Sequence, residues 1–137
     1  MVPQFTIGRL ASLPWIQARM TPMGLYNWNA IAEEQLNPRL SRRVIHTQSM
    51  TIARLLLLKY AMVPEHSHVH EQVTMVERGS LKFIMDGREQ IVRGGEALTI
   101  PPHSPHSVEA LEDSVVTDVF SPAREDWIRG DDAYLRR

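Results

Sequence analysis

From Leu40 onward, apolar and polar residues alternate with a period of two, and on an extended strand side chains at i and i+2 leave the same face. The pattern predicts eight strands, over residues 42–47, 51–58, 71–77, 80–85, 88–92, 96–100, 106–111 and 114–120. Gln48-Ser49, Arg78-Gly79, Asp86-Gly87, Gly94-Gly95 and Glu112-Asp113 punctuate them. Asp-Gly between β-rich runs is the strongest short hairpin signal among these. Eight short strands at this spacing predict an all-β sandwich or small barrel.

The flanks read differently. Residues 29–36 suggest one or two helical turns, stopped by Asn37-Pro38. Residues 1–23 hold three prolines and no acidic side chain, the composition of a poorly ordered or accessory arm. Met20 and Met23 leave a later natural start open. Helical residues return over 124–128. The expected organisation is an N-terminal arm with a short helix (1–39), a barrel (40–122) and a C-terminal helical turn and tail (123–137).

Composition narrows the function classes. A chain of 137 residues is most economically one domain with a real core. A net charge of −1 leaves no electrostatic footprint for nucleic acid. The absence of cysteine removes disulfides and thiolate chemistry and fits a cytoplasmic protein. Leu55-Leu56-Leu57-Leu58 is far too short to span a bilayer, and residues 1–22 lack the pattern of a secretory signal.

Chemistry concentrates in one stretch, Glu65-His66-Ser67-His68-Val69-His70-Glu71-Gln72. In an extended chain His66 and His68 aim at one point, and Gln72 with the downstream His106 can close the set. Neutral imidazoles converging with an amide oxygen are ligands for a divalent first-row metal.

Two phased motifs carry a family resemblance. The first runs Tyr60, five residues, His66-Ser67-His68, three residues, Gln72, six residues, Gly79. The second runs Gly95, five residues, Pro101-Pro102-His103, two residues, His106. In both spacings the chain resembles a small single-domain cupin. It departs at Tyr60 and His103, where the family has glycine, and at Gln72, where it usually has glutamate. The resemblance implies a double-stranded β-helix, or jelly-roll barrel, that commonly forms a homodimer. It also implies one divalent ion (Ni, Zn, Mn, Fe or Co) held by His66, His68, Gln72 and His106. The pattern leaves out His70, which reads as rim. His103 sits in a proline-rich turn, and His46 receives no role. A neutral Gln72 leaves the ion's full positive charge on the site, which favours Lewis-acid chemistry over oxygen activation.

A second group follows. A carboxylate within an apolar strand is costly unless paired, bound or catalytic, and Asp118 shares a face with Phe120, with Arg124 just beyond. This Asp-x-Phe-x-x-x-Arg pattern is similar to that of a pectin-degrading branch of the family, which opens 4,5-unsaturated uronates to 5-keto-4-deoxyuronate. The similarity implies that Asp118, Phe120 and Arg124 line a substrate site, with Asp118 carrying a proton and Arg124 pairing a carboxylate. The alternative reading makes Asp118 and Arg124 a structural ion pair closing the barrel. The expected activity is that of a metal-dependent lyase, hydrolase or isomerase on a small anionic molecule, with no nucleic-acid or membrane partner. An Fe(II)-dependent dioxygenase and a non-catalytic ligand-binding module are the alternatives.

Overall fold

Alternation becomes burial in the computed structural model, which describes residues 23–137. Of the arm expected over residues 1–39, residues 1–22 lie outside the described residues. The described chain runs through β1 (Glu34–Asn37), β2 (Leu40–His46), β3 (Thr51–Leu57), β4 (Met62–His66), β5 (Glu71–Arg78), β6 (Ser80–Met85), β7 (Arg88–Arg93), β8 (Ala97–Ile100), β9 (His106–Ala110), β10 (Ser114–Ser121) and a short helix α1 (Glu125–Ile128). Single 3-10 turns lie at Trp28–Ala30 and Ala133–Arg136. The chain separates into two units, residues 1–30 and 31–137, and every described strand belongs to the second.

That second unit is an all-β jelly roll of two antiparallel sheets. One has the order β1-β2-β3-β10-β5-β8, the other β4-β9-β6-β7. Thr51, Ala53, Leu55 and Leu57 alternate inward along β3, while Leu56 stays exposed. Leu81 and Phe83 of β6, with Ala110 of β9, meet them in a common core. Antiparallel register sets β5 against β10 as Val76↔Val116, Thr74↔Asp118 and Gln72↔Phe120. The inner face therefore changes from aliphatic to polar along these two strands.

Two strands escape the hydrophobic pattern, and both are sheet edges. The expected helical turns shrink to Trp28–Ala30, and Glu34–Asn37 pairs with β2 instead. The Asn37 side-chain oxygen accepts the Arg39 amide at 2.8 Å, a turn that folds β1 back and lets pairing override local preference. In β4, Pro64 obscures the strand signal. At an edge it is tolerated, and the register shifts between Val63 and His66 to accommodate it.

Turn geometry explains the motif spacings. Asp86 and Gly87 both have positive φ (50° and 72°), as a tight hairpin requires. So do all four glycine positions of the two motifs: Tyr60 (76°), Gly79 (96°), Gly95 (88°) and His103 (65°). At Gly79 any Cβ would overlap Ser114 and the Asp113 carbonyl.

The C-terminal segment packs against the barrel. The Arg42 and Arg124 guanidinium carbons lie 4.5 and 4.3 Å from the Trp127 ring centre. Buried Arg42 pairs with buried Asp132, which also holds Arg136. The Asn37 amide donates to the carbonyls of Leu135 (3.1 Å) and Arg137 (3.3 Å). Among the described residues, no helix is long and apolar enough to cross a membrane.

Candidate metal centre

His66 ends β4 and His106 begins β9, and the two are cross-strand partners with ring centres 4.3 Å apart. His68 lies beyond the end of β4, so strand parity alone does not place it. Its carbonyl accepts the His103 amide at 2.7 Å, tying the two motif loops together. The ligand nitrogens of His66, His68 and His106 all lie within 4.8 Å of one another.

The three rings are held the same way. Nδ1 of His66 donates to the Pro64 carbonyl (2.8 Å), that of His106 to Ser104 (2.8 Å) and that of His68 to His70 (3.1 Å). A carbonyl only accepts, so Nδ1 carries the proton and Nε2 is a bare acceptor in each ring. His106 Nε2 is buried without a partner. His68 Nε2 faces Gln72 Oε1 at 3.1 Å. Two acceptors this close repel unless a cation lies between them. Near neutral pH that cation is not a proton, because burial, then the nearby Arg124 charge, pushes His68 down to about 3. Burial likewise pushes His66 down to about 4 and lowers His106. Three imidazole nitrogens and an amide oxygen fit a divalent first-row ion.

Gln72 is oriented from behind. Its Nε2 donates to Thr74 Oγ1 at 2.9 Å, and the Thr74 hydroxyl donates to Asp118 Oδ1 at 2.7 Å. Asp118 keeps some accessible surface, yet it stands among protein atoms on every side, and burial pushes its carboxyl up to about 6. The hydrogen bond from Thr74, the charge of Arg124 and a hydrogen bond from Gln72 oppose that rise.

Arg124 is 1% exposed. Its Nε and Nη2 bond Asp126 at 3.0 and 2.7 Å, and Nη2 also reaches the Tyr134 hydroxyl at 2.8 Å. Its guanidinium carbon lies 4.7 Å from the centre of the Phe120 ring. The ion pair is with Asp126, not Asp118. Despite the cost of burial, the Arg124 hydrogen bond holds the Asp126 carboxyl low.

His66, Gln72, His106, Asp118, Phe120 and Arg124 line one cavity of about 50 Å³. Tyr134 and Leu135 line it too, and the Tyr134 ring lies 4.6 Å from that of His66. His68 instead borders a surface groove of about 380 Å³, with His70, Asp126 and Arg129. His70 bonds the Ala123 carbonyl through its ring (3.2 Å) and steadies His68 through its own carbonyl. His46 bonds Thr51 (2.8 Å), and His103 is exposed.

Comparisons with known proteins identify the family. A family model described as a cupin domain matches residues 55–120. The pectin degradation protein KdgF of Dickeya dadantii is 30% identical over 98 residues, covering 69% of this chain and 89% of that protein. The chain is a cupin. The structure of KdgF from Halomonas sp. superposes on it with a TM-score of 0.71 at 27% identity, covering 76% of this chain and 99% of that one. An RmlC-like cupin from Shewanella frigidimarina gives 0.72 at 25% identity, covering 77% and 96%.

Within this cupin, three contributors escaped the sequence reading. Thr74 shares the inward parity of Gln72, a signal that was present in the alternation. Asp126 and Tyr134 had none, because their contacts with Arg124 arise from the chain turning back after α1.

Proposed function

We propose that this cupin opens 4,5-unsaturated uronates to 5-keto-4-deoxyuronates, with a divalent metal held by His66, His68, Gln72 and His106. The observation that carries the reading is the chain of hydrogen bonds from Gln72 through Thr74 to Asp118, which sets a half-titrating carboxyl beside the ligand set and facing the same cavity as Arg124. Similarity to a pectin degradation protein supports the substrate class. The ion would supply Lewis acidity toward a substrate oxygen, undiminished by a neutral Gln72.

The conversion is an isomerisation. The C1 hydroxyl loses a proton, the C1–ring-oxygen bond breaks, and the enol released at C5 takes a proton at C4. Asp118, with a carboxyl near 6, is suited to accept the first proton and return the second. Arg124 presents its Nη1/Nη2 edge to the substrate carboxylate, since Asp126 occupies the Nε side. That edge is partly taken by the Tyr134 hydroxyl, and about 50 Å³ does not hold a sugar acid, so Tyr134 gives way on binding.

Loss of the unsaturated uronate's ultraviolet absorbance on incubation with metal-loaded protein tests this. Decay at the rate of a protein-free control would overturn the substrate assignment. The small volume of the cavity, about 50 Å³, favours a second reading, a ligand-binding module without turnover. Binding of the uronate with no product formed would select it. We also propose a homodimer, because Leu56 and Met75 remain exposed on the outer face of the larger sheet. A light-scattering mass of one chain would refute it.

A further inference from the structure

We infer that Thr74 is the positioning residue that decides which end of the Gln72 amide faces the three imidazoles. The inference rests on the reading of Gln72 as a metal ligand. The two ends of a carboxamide have nearly the same size, so packing hardly distinguishes them and hydrogen bonds make the choice. The Gln72 tip meets His68 Nε2 at 3.1 Å and Thr74 Oγ1 at 2.9 Å, and its amide also donates toward the Asp118 carboxylate, which favours the same orientation as Thr74 does.

Thr74 has one hydroxyl proton. That proton is committed to Asp118 Oδ1 at 2.7 Å, so Thr74 meets Gln72 only as an acceptor. The amide NH2 must therefore point at Thr74, and the oxygen is delivered to the bare face of His68. In the flipped amide, the oxygen would meet a hydroxyl whose proton is spent, and the NH2 would point at the ion. Gln72 is 5% exposed and Thr74 1%, so water does not repair either mismatch. Thr74 and Asp118 are also direct cross-strand partners, and β-branching limits the Thr74 rotamers, so backbone pairing fixes the geometry. Thr74 thus sets the ligand chemistry of an ion it does not touch.

Zn(II) affinity, measured by competition with a chromophoric chelator, tests this with no reference to turnover. Thr74→Val keeps the shape and removes the acceptor, and it weakens Zn(II) binding by about 10–100-fold. Thr74→Ser restores the hydroxyl and with it the affinity, and the visible spectrum of the Co(II)-loaded protein follows the same order. Gln72→Leu weakens binding at least as much as Thr74→Val, and the double variant is no weaker than Gln72→Leu alone. Normal affinity in Thr74→Val beside a weakened Gln72→Leu overturns the inference and leaves the proposed function standing, as do additive losses. Normal affinity in Gln72→Leu removes the ligand role itself, and the inference falls with it. Should Thr74→Val not fold, the Zn(II)-loaded wild type decides. Slow exchange of the Gln72 side-chain amide protons supports the inference, and exchange at the rate of an exposed glutamine overturns it.

Discussion

His68 Nε2 and Gln72 Oε1 stand 3.1 Å apart, two acceptors with no proton between them. A cation held by this set would remove that repulsion, so the proposed ligand set and the ion would stabilise each other. His106→Ala removes a ring nitrogen that is buried without a partner and belongs to the three-histidine cluster. Its metal affinity falls beyond the roughly 100-fold that loss of a supporting residue produces, as measured by elemental analysis after dialysis. Retention of a full equivalent of metal would place the ion elsewhere.

Acid destabilises the metal-free protein. His66 falls from 6.5 to about 4 and His68 from 6.5 to about 3 on folding, both chiefly through burial. Below pH 6.5 the unfolded chain takes up protons that the folded one refuses, so stability is lost progressively as pH drops toward about 4 for His66 and about 3 for His68. Asp118 works in the opposite sense, since its rise from 3.8 to about 6 lets the folded state hold a proton that the unfolded state releases. Two histidines outweigh one aspartate. Thermal melts in chelator should show the midpoint falling below pH 6.5, more steeply in Asp118→Asn. A flat profile would contradict the burial of these rings.

Asp118→Asn keeps an oxygen for Thr74 and so leaves the ligand set in place. It removes the proton carrier, and kcat on the unsaturated uronate should drop by about 10²–10⁴-fold with metal content unchanged. A loss of only a few-fold would return Asp118 to a purely structural role.

Tyr134→Phe releases the one Nη2 hydrogen of Arg124 that faces Tyr134, at little cost to the fold, because Asp126 still holds the guanidinium. The expected change is a lower KM for the uronate, with stability lowered by about 1 kcal/mol. An unchanged KM would show that the Tyr134 hydroxyl does not compete with substrate for Arg124.

His103 occupies a left-handed turn (φ 65°) where the cupin motif has glycine. His103→Gly removes the clash of Cβ with its own backbone and should raise stability by up to about 1 kcal/mol, after the added entropy of the unfolded chain. Denaturant midpoints measure this. The backbone bond from residue 103 to the His68 carbonyl survives the change, so metal affinity should hold.

Alternation alone located eight of the ten described strands, and the two it missed are edges. Two other edges, β7 and β8, were legible from their turns and alternation, whereas β1 reads locally as helix and β4 is interrupted by Pro64, so pairing with a neighbour is what makes these two strands. The histidines and Gln72 were legible because motif spacing is a property of the chain. Their shared ring orientation was not. It comes from carbonyls of Pro64, Ser104 and His70, which any residue would supply.

Asp118 and Arg124 show the same division. The sequence by itself determined that a carboxylate would face inward on β10 and that an arginine would follow the strand. Only the tertiary structure decided that Thr74 bonds the first while Asp126 and Tyr134 take the second. Parity along one strand is set by local backbone geometry. Partners across strands and from a returning tail are set by register and by where the chain turns, and neither is written in any short stretch of residues.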